Sequence, residues 1–303
     1  MHSGILLLDK PTGLSSNAAL QRVRGLFGGV KGGHVGSLDP LATGMLPICL
    51  GEATKVAGEI IAARKCYRFA VRLGTGTTTG DAEGAPIATA PVPALTRGEI
   101  EAVLAGFTGA LLQVPPMYSA LKRGGQPLYR LARAGVTVER AARPIEVSAL
   151  RLRAHEGDTL ELEALCSKGT YVRVLGEDIA AKLGTLGHLT ALRRLYVEPF
   201  ASEPMHGLEA LEAACGAGDP AAALLPADWP LAALPAVRLT APEAQRLLHG
   251  QCIERPADDA LAAPTRGVHL RLYDADGRFL GIGEAGGEGA VRPRRLLNAV
   301  APV

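Results

Sequence analysis

No run of apolar residues approaches the roughly 20 needed to cross a bilayer as a helix, so no membrane partner is expected. The five cysteines (Cys49, Cys66, Cys166, Cys215, Cys252) are scattered, odd in number and never spaced C-x-x-C. That speaks against a disulfide framework and against a zinc site. The seven histidines form no H-x-x-x-H or Cys/His cluster, so no metal is expected and the thiols should pack as small apolar groups. There is no P-loop, no Rossmann fingerprint, no internal repeat and no low-complexity run. The N-terminus, MHSGILLLDKPTG, lacks a basic region ahead of its short apolar run, which Asp9 and Lys10 close at once. A strand suits it better than a signal peptide, and the expected compartment is the cytoplasm.

What is present is the composition of a folded globular chain: 303 residues, 48% hydrophobic and 20% charged. That length suits one large domain with a small one. The net charge of +2 conceals an uneven distribution. Residues 1–200 carry 23 Lys and Arg against 17 Asp and Glu; residues 201–235 carry no base and five acids; residues 236–303 carry nine bases and eight acids. Local patches of this kind, not the total, decide whether phosphate can be gripped.

Ile5–Leu8 reads as a buried strand ended by the turn Lys10-Pro11-Thr12-Gly13. Ser16 or Asn17 is expected to cap a helix carrying Leu20, Val23 and Leu26 and stopping at Gly28-Gly29. Residues 31–47, rich in Gly and Pro, read as an ordered loop. Tyr67–Leu73 alternates like a half-exposed strand, and Thr96-x-x-Glu99 is a capping box. Arg151–Arg153 and Leu160–Leu165 pair across a turn at Glu156-Gly157-Asp158, and Val172 to Leu183 has helical spacing ended by Gly184. Without regular βαβ alternation, the fold class is α+β around a mainly antiparallel mixed sheet. Residues 201–235 are the candidate linker. Beyond them Thr240-x-x-Glu243 caps a helix, and Asp274-Ala275-Asp276-Gly277 turns a hairpin between strands at Val268–Tyr273 and Phe279–Gly283.

One carboxylate stands out by its setting. In Gly33-His34-Val35-Gly36-Ser37-Leu38-Asp39-Pro40-Leu41-Ala42-Thr43-Gly44, Pro40 restrains Asp39 toward extended backbone, and the glycines permit close approach of another backbone or a ligand. Taken alone, an Asp-Pro turn is an ordinary loop. This segment, however, resembles the G-H-[TS]-G-[AT]-L-D-P-x-A-T-G-x-L-P signature of the TruB family of tRNA pseudouridine synthases. Gly4–Ser16 resembles that family's opening motif, and Lys65-Cys66-Tyr67-Arg68 its K-x-Y segment. Gln113–Lys122 with Tyr129–Arg133 resembles its RNA-gripping thumb, Lys168–Arg173 its K-G-T-Y-I-R motif, and Leu192-Arg193-Arg194 its L-R-R motif. The likeness runs in order over residues 4–200. Val35 and Ser37 depart from it: the hydroxyl usual at the first position stands two residues later.

The resemblance implies a pseudouridine synthase catalytic domain over residues 1–235, with a thumb insertion at about 113–145. A small β-rich, PUA-like RNA-binding domain would follow over 236–303. It implies isomerisation of uridine to pseudouridine at position 55 in the TΨC arm of tRNA, which needs no cofactor. Asp39 would act on the flipped nucleotide, either at the ribose, through a glycal-type intermediate, or at uracil C6. Arg173 would pair with Asp39 and keep it ionised, since a neighbouring cation lowers a carboxylate pKa by roughly 1–3 units. Tyr67 would stack on the uracil and lend its hydroxyl to proton transfer, while Tyr171 and Leu192 line the apolar wall. His34 would fill the space left by the extruded base, and Lys10 would support the Asp39 loop with substrate contact secondary. Arg130 and Arg133 would meet phosphates from the thumb. The partner is the tRNA TΨC stem-loop, with no obligatory protein partner and a monomeric state. The thumb separates this chain from the RNA-guided branch of the family, which resembles it less there.

Overall fold

The computed structural model describes residues 2–218, 220–254, 266–287 and 289–298, so parts of the C-terminal module (255–265 and 299–303) lie outside the described residues. β1 (Gly4–Lys10) opens the chain, buried over almost its whole length. α1 (Ser16–Leu26) follows, capped not by Ser16 or Asn17 but by Ser15, whose side chain accepts from the Ala18 N–H. Ser16 is left free for a different task at the site. The expected loop 31–47 is partly strand: β2 (Gly32–His34) and β3 (Thr43–Leu50) enclose a shorter loop carrying Asp39.

α2 (Ala57–Ile61) leads into β4 (Lys65–Leu73), of which only Arg68 and Arg72 are exposed, so this strand is central and not half-exposed. A ribbon of β5 (Thr75–Thr77) and β6 (Pro86–Thr89) precedes α3 (Arg97–Ala105), which carries the expected capping box. The thumb lies between β7 (Gly109–Gln113) and β10 (Arg143–Glu156) and contains the hairpin β8 (Lys122–Arg123) and β9 (Gln126–Pro127) and α4 (Leu128–Arg133). β11 (Thr159–Cys166), α5 (Val172–Lys182) and β12 (Gly187–Val197) complete the central body.

Eight strands form one sheet in the order β1-β3-β12-β4-β11-β10-β7, with β2 also on β3. All these pairings are antiparallel except β3 with β12. The single parallel contact is tight: a Cβ on Gly44 (φ +96°) would sit 2.1 Å from the Arg194 carbonyl oxygen, so only glycine lets β12 close against β3. Leu6, Leu8, Leu46, Phe69, Leu162 and Ile179 belong to one core cluster with α1 and α5, and Ile5, Leu7, Met45 and Phe200 belong to a second.

Residues 201–235 are not a linker. They include α6 (Leu208–Gly216), and they cover the free edge of β1 through Ile5 N–H to Leu225 O (2.8 Å) and Asp9 N–H to His206 O (2.9 Å). Covering an edge strand removes unpaired backbone groups, which a composition of Ala, Pro and acids does not advertise. The C-terminal module holds β13 (Ala236–Arg238), α7 (Ala241–Leu248), β14 (Ile253–Glu254), β15 (His269–Tyr273), β16 (Phe279–Gly287) and β17 (Ala290–Leu296). Its five strands make a separate sheet, the β half-barrel of a PUA-like domain. Ile282 and Phe279 of β16 enter the second core beside Trp229, and Lys55 Nζ donates to Leu296 O at 2.7 Å, so the module is packed onto the central body.

Candidate active site

Asp39 is held from below by the chain's opening motif. Ser16 Oγ accepts from the Leu38 N–H (2.7 Å) and donates to the Leu38 carbonyl (2.9 Å). Lys10, fully buried, donates to the carbonyls of Leu14 (2.6 Å), Pro11 (2.9 Å) and Pro40 (3.4 Å). Gly13 N–H reaches Pro40 O at 2.8 Å. The residues on both sides of Asp39 are therefore fixed, and Lys10 is a support beneath the loop rather than a wall of the cavity. The departures at Val35 and Ser37 also have a place. Val35 is buried in the second core, where an apolar side chain belongs, and Ser37 lines the cavity.

Arg173, in the first turn of α5, points back into this loop. Its Nε stands 2.9 Å from Asp39 Oδ2 and 3.6 Å from Asp81 Oδ2, and its two Nη groups donate to Thr79 O (2.8 Å) and Tyr118 O (2.7 Å). Asp81 is nearly inaccessible and accepts from Thr79 Oγ1 (2.5 Å) and the Glu83 N–H (3.1 Å). The pairing of Arg173 with Asp39 is the one expected, but its electrostatic outcome differs. Asp39 keeps 41% of its side-chain surface open, toward two cavities that share it. Burial raises its carboxyl above the ordinary aspartate range, Asp81 adds to that, and the Arg173 charge only partly opposes it.

A cavity of about 380 Å³ opens on Asp39 and Arg173 and is completed by Tyr67, Tyr171 and Leu192. The register brings them together: Arg194 of β12 stands opposite Tyr67 of β4, which places Leu192 and Tyr67 on one face of the sheet. Gln113 orients the Tyr171 backbone, accepting from its N–H (2.8 Å) and donating to its carbonyl (3.1 Å). A second cavity, of about 590 Å³, shares Asp39 and Arg173 and is walled by Tyr129 and Arg133 of the thumb.

His34 sits on β2, off the wall of both cavities; its Nδ1 is buried without a hydrogen-bond partner, and burial lowers its pKa. Arg130 lies exposed on α4, away from the Asp39 cavity. Sequence reasoning gave Asp81 and Lys65 no role, Ser16 only that of a helix cap, and Arg194 only that of a phosphate contact. Lys65 and Arg194 lie inside the quoted motifs, but their burial shows only in the structure, and Asp81 sits in a Thr-Gly-Asp turn that marks only a turn.

The α+β fold has a counterpart among solved structures. A chain of an H/ACA RNP bound to a substrate RNA containing 2′-deoxyuridine superposes with a TM-score of 0.73 at 21% identity, covering 98% of this chain and 85% of that one. At that identity the likeness establishes the fold. Three family profiles then account for nearly the whole length: TruB family pseudouridylate synthase (N terminal domain) over residues 24–172, tRNA pseudouridylate synthase B C-terminal domain over 173–232, and Pseudouridine synthase II TruB, C-terminal over 235–297. The tRNA pseudouridine synthase B of Chromohalobacter salexigens is 52% identical over 97% of this chain and 94% of its own length. That of Aromatoleum aromaticum is 50% identical over 98% and 94%. The chain belongs to the TruB family of pseudouridine synthases, isomerases that convert uridine to pseudouridine. No helix among the described residues is long and apolar enough to cross a membrane.

Proposed function

We propose that this chain isomerises one uridine of tRNA, that at position 55 in the TΨC arm, with Asp39 as the group that acts on the flipped nucleotide. The observation that carries the reading is the 2.9 Å contact of Arg173 with Asp39 on the wall of a cavity that Tyr67, Tyr171 and Leu192 complete. A cavity of this size, largely apolar with a few convergent polar groups, suits one extruded nucleotide. Extruding the base costs a few kcal/mol, which binding elsewhere must supply.

In this reading the thumb supplies it. It spans two strands that are neighbours in the sheet, and Gly124, Gly125 and Gly135 adopt positive φ beside Arg130 and Arg133. Phosphate contacts made from such a segment form as the RNA is enclosed. Residues 1–235 are the catalytic domain in this reading, and 236–303 an RNA-binding domain whose basic cluster Arg292-Pro293-Arg294-Arg295, its arginines exposed on β17 and Arg294 paired to Glu284, meets the phosphate backbone. The enzyme acts in the cytoplasm as a monomer without a protein partner or cofactor. Its relatives' name, tRNA pseudouridine synthase B, supports tRNA as the substrate.

The test is incubation with unmodified tRNA carrying tritium at uracil C5. Reattachment through C5 releases the label, and stoichiometric release from position 55 is expected. A folded, RNA-binding protein that releases none would remove the reading; release that persists when uridine 55 is replaced by cytidine would move the target elsewhere.

A further inference from the structure

Two cations on the wall of the Asp39 cavity take no part in the Asp39–Arg173 pair. Lys65 of β4 and Arg194 of β12 line it together with Tyr67 and Leu192. Arg194 stands opposite Tyr67, and the two-residue repeat of a strand puts Lys65 beside Tyr67 on that same face. Both are nearly inaccessible, Lys65 at 6% and Arg194 at 0% exposure. Lys65 Nζ donates to the carbonyls of Ala63 (2.6 Å) and Ile61 (3.2 Å). Arg194 donates through Nε to Met45 O (2.6 Å) and through Nη2 to Gly36 O (2.8 Å).

Among the described residues neither cation is paired with a carboxylate, and Arg194 Nη1 is buried without a partner. That nitrogen faces Gly36: a Cβ there would lie 3.3 Å from Nη1 and 3.2 Å from Lys65 Cε. Burying an unpaired cation costs several kcal/mol. Two of them, side by side and held only by carbonyls, form a site for an anion.

We propose that Lys65 and Arg194 form a cationic wall that takes up the negative charge developing on uracil during the isomerisation; this rests on the reaction assigned above. If Asp39 attacks C1′, a C1′–O bond forms as C1′–N1 breaks, and the electron pair leaves on uracil, spread over N1, O2 and O4. If Asp39 adds to C6, a C6–O bond forms and the C5–C6 π electrons move to O4 as an enolate. C1′–N1 then breaks, its electron pair leaving on N1 and C1′ becoming an oxocarbenium ion that C5 attacks. By either route the charge reaches the ring carbonyl oxygens. It is discharged when C5 bonds to C1′ and the bond to Asp39 breaks; C5 then gives up its proton and N1 gains one. No oxidant, reductant or second substrate enters the balance. Fixed positive charge beside a group that becomes anionic lowers the energy of that state, the electrostatic form of catalysis.

The charge state of Lys65 makes the wall measurable. Burial, with Arg194 on β12 and Lys168 after β11, lowers its pKa to about 8. The groups around it are those two cations, Tyr67 on its own strand, and Asp39, Arg173 and Tyr171 on the cavity wall. A protonated Lys65 is thus lost on the alkaline side of neutrality, and with it part of the stabilisation.

The experiment is single-turnover tritium release from saturating tRNA across about pH 6–9.5, beside a salt titration of tRNA binding. Lys65→Met should lower the plateau rate about 100-fold and leave both affinity and salt slope within error. Lys65→Arg, which keeps a charge that does not titrate, should retain the rate within about tenfold and move the alkaline limb upward. A plateau unchanged in Lys65→Met overturns the proposal. So does a salt slope reduced by about one with the plateau intact, because the wall would then hold a backbone phosphate. If Lys65→Met does not fold, Lys65→Arg decides, and an unmoved alkaline limb overturns the wall. Absence of release from the unsubstituted chain would instead remove the assigned reaction, so the two failures are distinct.

Discussion

Arg173 Nε lies 2.9 Å from Asp39 and 3.6 Å from Asp81, so one guanidinium serves two carboxylates of unequal exposure. Asp81 is nearly inaccessible and satisfied by Thr79 and the Glu83 N–H, whereas Asp39 opens into the cavity. The arrangement anchors Arg173 on the buried acid and leaves Asp39 facing the cavity.

Asp39→Asn should therefore abolish tritium release, by three orders of magnitude or more (about 4 kcal/mol), while tRNA binding stays within about tenfold. Arg173 retains Asp81 and two carbonyls, so the melting temperature should not fall. Substantial turnover by this variant would show that Asp39 is not the reacting group.

The raised pKa of Asp39 fixes the direction of a pH effect. An acid whose pKa is raised is protonated at a higher pH than usual, so the acid limb of kcat/KM should lie above the ordinary aspartate range. The folded state binds that proton more tightly than the unfolded one. The ionised carboxylate thus costs stability above the raised pKa, and the cost vanishes as pH falls through it. Asp81→Asn removes a neighbouring negative charge and should move the acid limb to lower pH. Movement in the opposite sense would show that Asp81 acts chiefly by orienting Arg173.

Ser16→Ala breaks both hydrogen bonds to Leu38 and leaves a buried N–H and carbonyl unpaired. The expected loss is about 1–3 kcal/mol in urea unfolding, with a fall in kcat larger than any change in tRNA affinity. A variant with native stability would remove Ser16 from the support of the loop.

Gly44→Ala places a methyl 2.1 Å from the Arg194 carbonyl at a φ that L residues rarely adopt. Destabilisation of about 3 kcal/mol or more is expected, since the β3–β12 contact must open. A melting temperature within 2 °C of the unsubstituted chain, by a rough threshold, would contradict the tight packing.

Arg130→Ala with Arg133→Ala should weaken tRNA binding and reduce the slope of log affinity against log salt by between about one and two. An unchanged slope would take these residues off the contact surface.

How far the sequence reached differs from element to element. β1, α3, α5, the β10–β11 hairpin and the β15–β16 turn were legible because each is set by local periodicity, a capping box or turn residues. The α+β class followed from their order, and Asp39, Tyr67 and Arg173 were named as candidates by the resemblance of whole motifs; one cavity brings the three together. The covering of β1 by residues 201–235 was not legible, because an edge is closed by backbone hydrogen bonds that carry no side-chain signature.

What the sequence by itself determined is thus most of the helices and strands and, through the resemblance, the candidate site residues. The tertiary structure alone decided their electrostatics: the upward shift of Asp39 against its own Arg partner, the sharing of Arg173 with Asp81, and the pair of buried cations beside Tyr67. The reason is physical. Burial and cross-strand proximity join residues more than a hundred positions apart, and an ionisable group takes its pKa from those neighbours and not from its place in the chain.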